Sequence, residues 1–384
     1  MIPRSVYSPE HEEFRRTYRA WLEARIRPNH DRYEAQGYVD RDMWLEAGRE
    51  GYLCITMPEE FGGLGVDRGF AAVMLEEQGH SGLSGPAFNL HSDIVAPYIL
   101  AYGTDEQKSR FLPAMARGEM IGAIAMTEPG TGSDVQAIAT TAIDDGEDFV
   151  LNGSKIFITN GFTCHFAIVA CKTGPKAEGA SAISLLLVEA DCEGFGKAER
   201  PLHKMGMKAQ DTSELFFADV RVPKTNLLGK LNGGFGLLMH ELPWERMQIA
   251  LWCVAASQAV LEDAVAYTGQ RKTFGKPLSG HQDIRFKIAE IRAEIAVARS
   301  FVDDCMRLLL ENQLSSDDAA IAKYWTTEMY SRVADKALQM FGGYGYMWEY
   351  PISRQFVEAR VKRIYGGTTE IMKEVIARGV LPRS

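Results

Sequence analysis

Two neighbouring residues, Glu245 and Arg246, carry opposite charges inside a long apolar stretch of the chain. The stretch covers residues 233–270, and its pattern predicts one helix with few positions left for charge. A carboxylate buried in such a helix is costly unless it is paired or protonated, so we expect the pKa of Glu245 to be raised. A carboxylate of this kind can take a proton from carbon near neutral pH. By themselves the two residues fit a structural ion pair, or a helix side turned to solvent, at least as well.

The segment Met126–Asp134 combines glycines with hydroxyl groups. Gly130 and Gly132 let the backbone come close to a ligand, while Thr127 and Ser133 offer hydroxyls. The segment therefore qualifies as part of a ligand site, although a decorated turn has the same composition.

Three other short segments allow similar interpretations. In Ile156–Thr159 an aromatic ring and a hydroxyl alternate and so share one face of a strand, although this is also ordinary strand composition. In 271–276 cationic side chains flank Phe and Gly, which suits a diphosphate clamp or a solvated helix end. In 364–370 glycines precede Thr368 and Thr369, either of which could cap the next helix and form an anion or carbonyl site. Many helices begin in the same way.

The elements that must position these segments follow the order helices, strands, helices. Up to about residue 122, amphipathic spacing predicts helices at Glu10–Ile26, Arg41–Gly51, Phe70–His80 and Asp105–Arg117. Short β-rich runs then predict strands at Phe149–Leu151, Ile156–Thr159, Phe166–Cys171, Ile183–Val188 and Leu215–Val222. The pair Asn152-Gly153 predicts a hairpin turn between the first two strands. Closely spaced strands without helices between them indicate an antiparallel barrel or sandwich.

After Pro223 the sequence is helical again. Apolar residues in steps of four and three predict the seam of a helix bundle, at Ile284, Ile288, Ile291, Ile295, Ala298, Val302, Cys305 and Leu309. Ser315–Asp318 is predicted to cap the next helix. We therefore expect an α+β, mostly α-helical protein with three domains. These are an N-terminal helical domain (1–122), a middle antiparallel β-barrel or sandwich (123–232) and a C-terminal four-helix bundle (233–384).

Composition and charge exclude several classes of function. The net charge of −9, spread along 384 residues, argues against a nucleic-acid binder. The six cysteines are scattered without metal-ligand spacing, which predicts no metal site and a reducing compartment. Neither a leader nor a run of about 18 apolar residues is recognised, so we expect a cytoplasmic protein that does not span a membrane. No P-loop, Rossmann glycine pattern or GxSxG elbow occurs in the sequence.

Seven motifs, in order along nearly the whole chain, resemble those of the acyl-CoA dehydrogenase family. They are PEEFGGLG, TEPGTGSD, NGSKIFITNG, ERMQIA, RKTFGKPL, QMFGGYGY and IYGGTTEI. The central HELPWER and the tail YMWEYPISR…IYGGTTEIMKEVIAR are most similar to the long-chain branch. The resemblance implies that FAD is held between the β-domain and the helical bundles. It also implies at least a dimer, and usually a homotetramer.

The resemblance further implies which residues contact the cofactor and the substrate. Flavin contacts within one subunit are implied for Ile124, Ala125, Met126, Thr127, Gly132, Ser133, Phe157, Ile158 and Thr159. Contacts with the FAD of a neighbouring subunit are implied for Arg271, Phe274, Gln282, Gln339, Met340, Phe341, Gly342 and Gly343. The flavin site would be completed by Thr368, Thr369 and Glu370. Substrate contacts are implied for Ser133, Leu242, Arg246, Tyr365, Gly366 and Gly367.

The sequence departs from the commonest family pattern at Gly366, where many members carry the catalytic glutamate. The long-chain and isovaleryl branches place the base on the central helix instead, at the position of Glu245. The resemblance therefore implies that Glu245 takes the α-proton of an acyl-CoA thioester while the β-hydride passes to flavin N5, giving the trans-2-enoyl-CoA of fatty-acid β-oxidation. The backbone N–H of Gly366 and a flavin ribityl hydroxyl would polarise the thioester oxygen. An electron-transfer flavoprotein would accept the electrons.

Several alternatives stay open at this stage. The isovaleryl branch, which takes short branched acyl chains, has the same base position, and a carrier-protein thioester could replace CoA. A flavin oxidase or monooxygenase on the same fold would reoxidise quickly with oxygen. A non-catalytic acyl-thioester or flavin-binding protein would tolerate Glu245→Gln. The presence of Glu245 counts against the last two alternatives.

Overall fold

The computed structural model describes residues 3–382, except for the side chains of residues 176 and 177. The chain folds into two compact units. The first contains the described parts of Met1–Pro28, Arg68–Leu83 and Leu242–Ser384, and the second contains Asn29–Asp67 and Ser84–Glu241. Along the chain, the predicted order of helices, strands and helices is confirmed.

Helices are numbered in chain order. Those of the first unit are α1 (Pro9–Trp21), α4 (Arg68–Ser81), most of α7 (Gly234–Gln270), α8 (Gln282–Leu310), α9 (Ser316–Phe341), α10 (Pro351–Lys362) and α11 (Thr369–Val380). Those of the second unit are α2 (His30–Gln36), α3 (Arg41–Arg49), α5 (Ala96–Tyr102) and α6 (Asp105–Ala116). The N-terminal and C-terminal predictions of helix therefore hold.

The central helix α7 has 37 residues, as its apolar pattern predicts. Among the described residues it is the one helix long and apolar enough to cross a membrane, judged by length and hydropathy alone. However, 67% of its most apolar window is buried inside the protein. Such burial is typical of the core helix of a globular domain.

Helix α9 packs against α8, α10 and α11. The predicted seam of α8 is confirmed from Ile291 onward, where the buried side chains include Ile291, Ile295, Ala298, Val302, Cys305 and Leu309. The first two predicted residues, Ile284 and Ile288, are only half-buried. The hydroxyl of Ser315 accepts a hydrogen bond from the amide of Asp318 at 3.0 Å, which confirms the predicted cap of α9. Helix α10 adds a fifth helix to the expected four-helix bundle. It begins at Pro351, whose fixed φ suits the first turn of a helix.

The second unit is built on an eight-stranded sheet. Its strands are β1 (Gly122–Ala125), β2 (Thr141–Asp145), β3 (Asp148–Thr159), β4 (Phe166–Lys172), β5 (Ile183–Glu189), β6 (Phe195–Lys197), β7 (Thr212–Pro223) and β8 (Leu227–Leu228). Their order is β6-β7-β3-β2-β4-β5-β8, and β1 pairs with β4. In the first unit, β9 (Lys272–Thr273) and β10 (Lys276–Pro277) form a small hairpin.

The sheet is mixed, which corrects the expectation of a purely antiparallel barrel or sandwich. Strand β1 runs parallel to β4, and Thr141, the first residue of β2, also pairs with β4 in parallel. Strands β1 and β4 are buried along their whole length, as is usual for parallel strands. The β2–β3 hairpin lies between β1 and β4 in the sequence, so the connection is long enough for a crossover.

The predicted hairpin at Asn152-Gly153 is also wrong. Both residues lie inside β3, where the pairing with β7 shifts register between Leu151 and Gly153. Gly153 has a φ of +149°, and a Cβ on it would lie 2.5 Å from Oγ1 of Thr140. The glycine therefore allows a bulge against Thr140. The tight turn before β3 is made by Gly146 instead, with a φ of +75°.

Candidate active site

Helix α7 places Glu245 and Arg246 side by side in the interior of the first unit. Glu245 is 9% exposed and Arg246 is 4% exposed, so the alternative of a helix side turned to solvent is wrong. Burial lowers the pKa of Arg246, and the charge of Glu245 opposes that shift. Both charged residues therefore lie in a part of the unit that is largely closed to water.

Arg246 is anchored to the start of α9. Its Nη1 donates a hydrogen bond to Oγ of Ser316 at 2.9 Å and another to the carbonyl oxygen of Ser316 at 3.3 Å. Its Nε is buried and has no hydrogen-bond partner among the described residues. A buried donor without an acceptor is costly, so a ligand oxygen placed beside Nε would be stabilised. This geometry suits the predicted contact between Arg246 and a substrate.

Gly366 faces the same side of α7 as Glu245. Its φ is +64°, and a Cβ on it would lie 2.4 Å from Cδ1 of Ile249. Ile249 comes one helical turn after Glu245, and side chains one turn apart share a face. Two positions far apart in the sequence, 245 and 366, are therefore brought to neighbouring turns of one helix face.

The loop after α10 is held in place by Lys323 of α9. This lysine is completely buried, and its Nζ donates a hydrogen bond to the carbonyl oxygen of Gly367. Burial lowers the pKa of Lys323 to about 8. Because α9 also carries Ser316, one helix fixes both Arg246 and the Gly366–Gly367 backbone.

A second buried lysine lies close to Tyr365. The Nζ of Lys362 is 3.9 Å from the ring centroid of Trp252 and 5.4 Å from that of Tyr365. Burial lowers the pKa of Lys362 to about 8 and raises the pKa of Tyr365. Tyr365 is nevertheless 37% exposed, so part of this side chain is accessible to a ligand.

Sequence reasoning missed Lys323, Lys362 and Ser316 as parts of this site. A signal existed for Lys323, because it follows Ala319, Ala320 and Ala322 on a helix face that is otherwise apolar. A lysine on a buried face must find an acceptor. No local pattern points to the partners of the other two residues.

In the second unit, the segment Met126–Asp134 forms a tight loop after β1. The amide of Glu128 donates a hydrogen bond to the carbonyl of Thr131 at 2.9 Å, and the amide of Thr131 donates one to the carbonyl of Glu128 at 3.0 Å. Gly132 and Ser133 are exposed, and a Cβ on Gly132 would contact nothing within 4 Å. The backbone there is open to a ligand. By contrast, the side chains of Ile124 and Ala125 belong to the core, so only their backbone could contact a cofactor.

A buried ion pair between Lys155 and Glu128 holds this loop in place. Lys155 of β3 is completely buried, and its Nζ donates hydrogen bonds to Oε1 of Glu128 at 2.8 Å and to the carbonyl of Met126 at 3.0 Å. Glu128 also accepts from the amides of Ala139 and Thr140. Burial would raise the pKa of Glu128, but the charge and hydrogen bond of Lys155 lower it overall. The carboxylate thus ties the start of the loop to the backbone at Ala139 and Thr140, which follow the loop in the chain.

The neighbouring segment Phe157–Thr159 lies at an irregular part of β3. The register with β7 shifts between Lys155 and Ile158, and Phe157 has a φ of +60°. Phe157 is 64% exposed, whereas Ile158 is buried in the core of the sheet. The predicted alternation is confirmed, because Phe157 and Thr159 point away from that core.

The residues expected to reach a neighbouring subunit's cofactor gather at one end of the first unit. The guanidinium of Arg271 lies 5.9 Å from the ring of Tyr344, next to the end of α9. The ring of Tyr267 stacks on Phe341 at 4.2 Å, so the ends of α7 and α9 lie side by side. Phe274 is 96% exposed. Exposed positions of this group include Gln282, Gln339, Gly342 and Gly343, whereas Met340 and Phe341 are buried.

At the start of α11, the two threonines have different roles. The hydroxyl of Thr368 caps the helix by accepting from the amide of Ile371 at 3.3 Å. The hydroxyl of Thr369 donates to Glu328 at 2.8 Å and is buried, so it is directed into the protein. Glu370 is exposed. Of the two threonines proposed for the cap, Thr368 is the one that forms it.

One group of possible metal ligands occurs among the described residues, at His30, Asp31 and Glu34. However, Nε2 of His30 already accepts a hydrogen bond from the amide of Ser84 at 3.0 Å. The group is also partly exposed, and it lies on elements other than those of the candidate site.

The chain combines a helix–strand–helix order with a buried carboxylate, Glu245, on the helix that meets the Gly366 loop. Sequence models for the acyl-CoA dehydrogenase N-terminal, middle and C-terminal domains match residues 8–119, 123–220 and 232–381. The chain belongs to the acyl-CoA dehydrogenase family, and it is an enzyme, an oxidoreductase. The predicted family is thereby confirmed.

Individual members of the family are similar to this chain over nearly its whole length. The mitochondrial long-chain specific acyl-CoA dehydrogenase of Sus scrofa is 50% identical over 98% of this chain and 88% of its own length. The crystal structure of an acyl-CoA dehydrogenase from Geobacillus kaustophilus has a TM-score of 0.96 and 43% identity, covering 98% of this chain and all of that one. A structure described as the electron transferring flavoprotein of Acidaminococcus fermentans has a TM-score of 0.91 and 32% identity, covering 98% of this chain and 99% of that one. The predicted likeness to the long-chain branch is confirmed.

Proposed function

We propose that this enzyme removes the α and β hydrogens of a long-chain acyl-CoA, using FAD and with Glu245 as the base. The observation that carries the proposal is the placement of Glu245. It is a buried carboxylate on the face of α7 that also meets the backbone of Gly366. The 50% identity with a long-chain specific relative supports the chain length.

The residues available for a flavin fit its chemistry. A flavin has a planar ring, polar edges and a diphosphate, and it needs aromatic contact, hydrogen-bond donors and open backbone. Phe157 offers an exposed ring, and the hydroxyl of Ser133 and the backbone of Gly132 are exposed in the same sheet unit. Arg271 and the open Gly342–Gly343 backbone offer the charge and space for a diphosphate. When bound, FAD would supply the acceptor for the β-hydride.

The protein's own groups would handle the proton. Glu245 would take the α-proton, and its buried position keeps water away from the carboxylate. The backbone N–H of Gly366 would donate to the thioester oxygen, where negative charge develops. Lys323 would keep that N–H in place through the Gly367 carbonyl. The buried Nε of Arg246 would bind a further oxygen of the substrate.

An electron-transfer flavoprotein would accept the electrons, which is supported by the similarity to the Acidaminococcus fermentans structure. We also propose a homotetramer. In it, the exposed end of the first unit that carries Arg271 and Gly343 would contact the cofactor of a neighbouring subunit. A cytoplasmic location agrees with six cysteines that are all free thiols.

The test is anaerobic reduction of the purified flavoprotein by acyl-CoAs of graded chain length. We expect long linear chains to bleach the flavin absorbance of the wild type. Glu245→Gln should bind FAD but stay oxidised, with a rate lower by about a thousandfold or more. Glu241→Gln is the matched control, since Glu241 is a carboxylate of similar burial, 8% exposed, that bonds Tyr102. Equal bleaching by Glu245→Gln and wild type would show that Glu245 is structural.

The same assay separates the alternative substrates. Bleaching only by short branched chains would move the enzyme to an isovaleryl-like specificity and leave the base assignment intact. Rapid reoxidation by oxygen without a protein acceptor would favour an oxidase.

A further inference from the structure

We infer that Ile249 is the residue that reserves position 366 for glycine and so confines the catalytic base to α7. The inference rests on the proposed function of Glu245. It assigns to Ile249 the role of determining which position of the chain can carry the catalytic base. It is argued from one close approach between α7 and the loop that precedes α11.

The contact is confined to a single atom of Ile249. A Cβ built on Gly366 would lie 2.4 Å from Cδ1 of Ile249, far inside van der Waals contact for two carbon atoms. The next atom of the same side chain, Cγ1, would lie 3.9 Å away, which is ordinary van der Waals contact. No other atom comes within 4 Å among the described residues. Removing Cδ1 alone would therefore open the position.

The direction of the contact matters for the chemistry. Because Ile249 and Glu245 share a face of α7, the Cβ direction at Gly366 leads into the same space that Glu245 faces. A side chain at 366 would thus reach the region of the proposed α-proton. Ile249 fills the start of that path, so its Cδ1 must turn aside before a side chain at 366 can enter. Packing therefore disfavours a second base on the loop.

The left-handed backbone at Gly366, with a φ of +64°, adds a cost for any other residue. That cost does not depend on Ile249. A comparison of variants can therefore separate the two effects. Ile249→Val deletes Cδ1 and keeps the rest of the side chain, so it is the smallest change that tests the contact.

The first experiment is a thermal-stability cycle on the FAD-loaded enzyme. It compares wild type, Gly366→Ala, Ile249→Val and the double variant. We expect Gly366→Ala to lower the melting temperature by about 3 °C more in the wild-type background than in the Ile249→Val background. The backbone cost cancels in this comparison. Equal losses in the two backgrounds would overturn the inference, whatever the role of Glu245.

The second experiment moves the base. Glu245→Ala should stop anaerobic flavin reduction by a long-chain acyl-CoA, and adding Gly366→Glu should restore little of it. Adding Ile249→Val as well should raise the rate at least about tenfold above the Glu245→Ala/Gly366→Glu variant. Flavin content and circular dichroism of each variant confirm folding.

The outcomes distinguish the two proposals. If Glu245→Ala alone retains the wild-type rate, the proposed base is wrong, while the stability cycle still decides on the Ile249–Gly366 contact. If Glu245→Ala/Gly366→Glu is as active as the variant that also carries Ile249→Val, Ile249 does not control the position and the inference is wrong.

Discussion

Replacing Lys155 by methionine should destabilise the enzyme strongly and loosen the Met126–Asp134 loop. Lys155 is completely buried and pairs with Glu128, whose side chain is 5% exposed. The methionine keeps most of the side-chain volume but leaves the Glu128 carboxylate buried without its cation. Removing one partner of a buried ion pair typically costs about 3–5 kcal/mol.

The structure narrows this range. Glu128 keeps two backbone donors, the amides of Ala139 and Thr140 at 2.5 and 3.0 Å, so the cost should fall at the lower end, about 3 kcal/mol. Adding Glu128→Gln removes the unpaired charge. We therefore expect the double variant to recover about 2 kcal/mol of the loss. Because domain stabilities are about 5–15 kcal/mol, both effects are measurable.

The assay is equilibrium urea unfolding of the FAD-loaded enzyme, followed by flavin release and circular dichroism and analysed by linear extrapolation. Lys172→Met is the matched control. Lys172 is a buried lysine of the same sheet, on β4, and its Nζ donates to the carbonyl of Gly179 rather than to a carboxylate. Hydrogen exchange at the amides of Glu128 and Thr131 reports on the loop itself. The reasoning is refuted if the Lys155→Met variant loses less than about 1 kcal/mol, or if the double variant is no more stable than it.

Two more predictions concern other buried charges. Lys323→Met should slow flavin reduction about tenfold, because the Gly367 carbonyl loses its donor. The control Lys336→Met should not, since Lys336 of the same helix is half-buried and pairs with Glu290 instead. Equal rates for the two variants would contradict the proposed anchoring. Burial would raise the pKa of Glu76, but the hydrogen bonds and charges of Arg4, followed by nearby arginines, bring it down from 4.5 to about 2. A lowered pKa stabilises the fold above pH 4.5, so about 3 kcal/mol should be lost as the pH falls from 4.5 to 2. Glu76→Gln should flatten this acid slope in urea titrations, and an unchanged slope would contradict the shift.

Much of the fold could be predicted from the sequence because it depends on local patterns. The apolar run of α7, the seam of α8 and the caps at Ser315 and Thr368 each arise from spacing within one or two turns. The periodicity that buries one face of an element is visible without its neighbours. The motifs around Glu245 also indicated the family, which the comparisons confirm.

Predictions from local patterns were wrong where the same short sequence is compatible with two backbone conformations. Asn-Gly is typical of a hairpin turn, yet Gly153 serves a bulge, because Thr140 of the neighbouring segment leaves no room for a Cβ. The parallel pairing of β1 with β4 was likewise hidden, since strand direction depends on the path of the chain between them. In both places the deciding partner is distant in the sequence.

The sequence by itself determined which residues can do the chemistry, namely a carboxylate on an apolar helix and a glycine-rich loop before the last helix. Only the tertiary structure decided that Gly366 meets the turn of α7 after Glu245, that Ile249 fills the intervening space, and that Lys323 holds the next carbonyl. Side-chain type and helical period are properties of short segments. Contacts between helices depend on how whole elements pack, at distances of a few ångströms that no spacing pattern encodes.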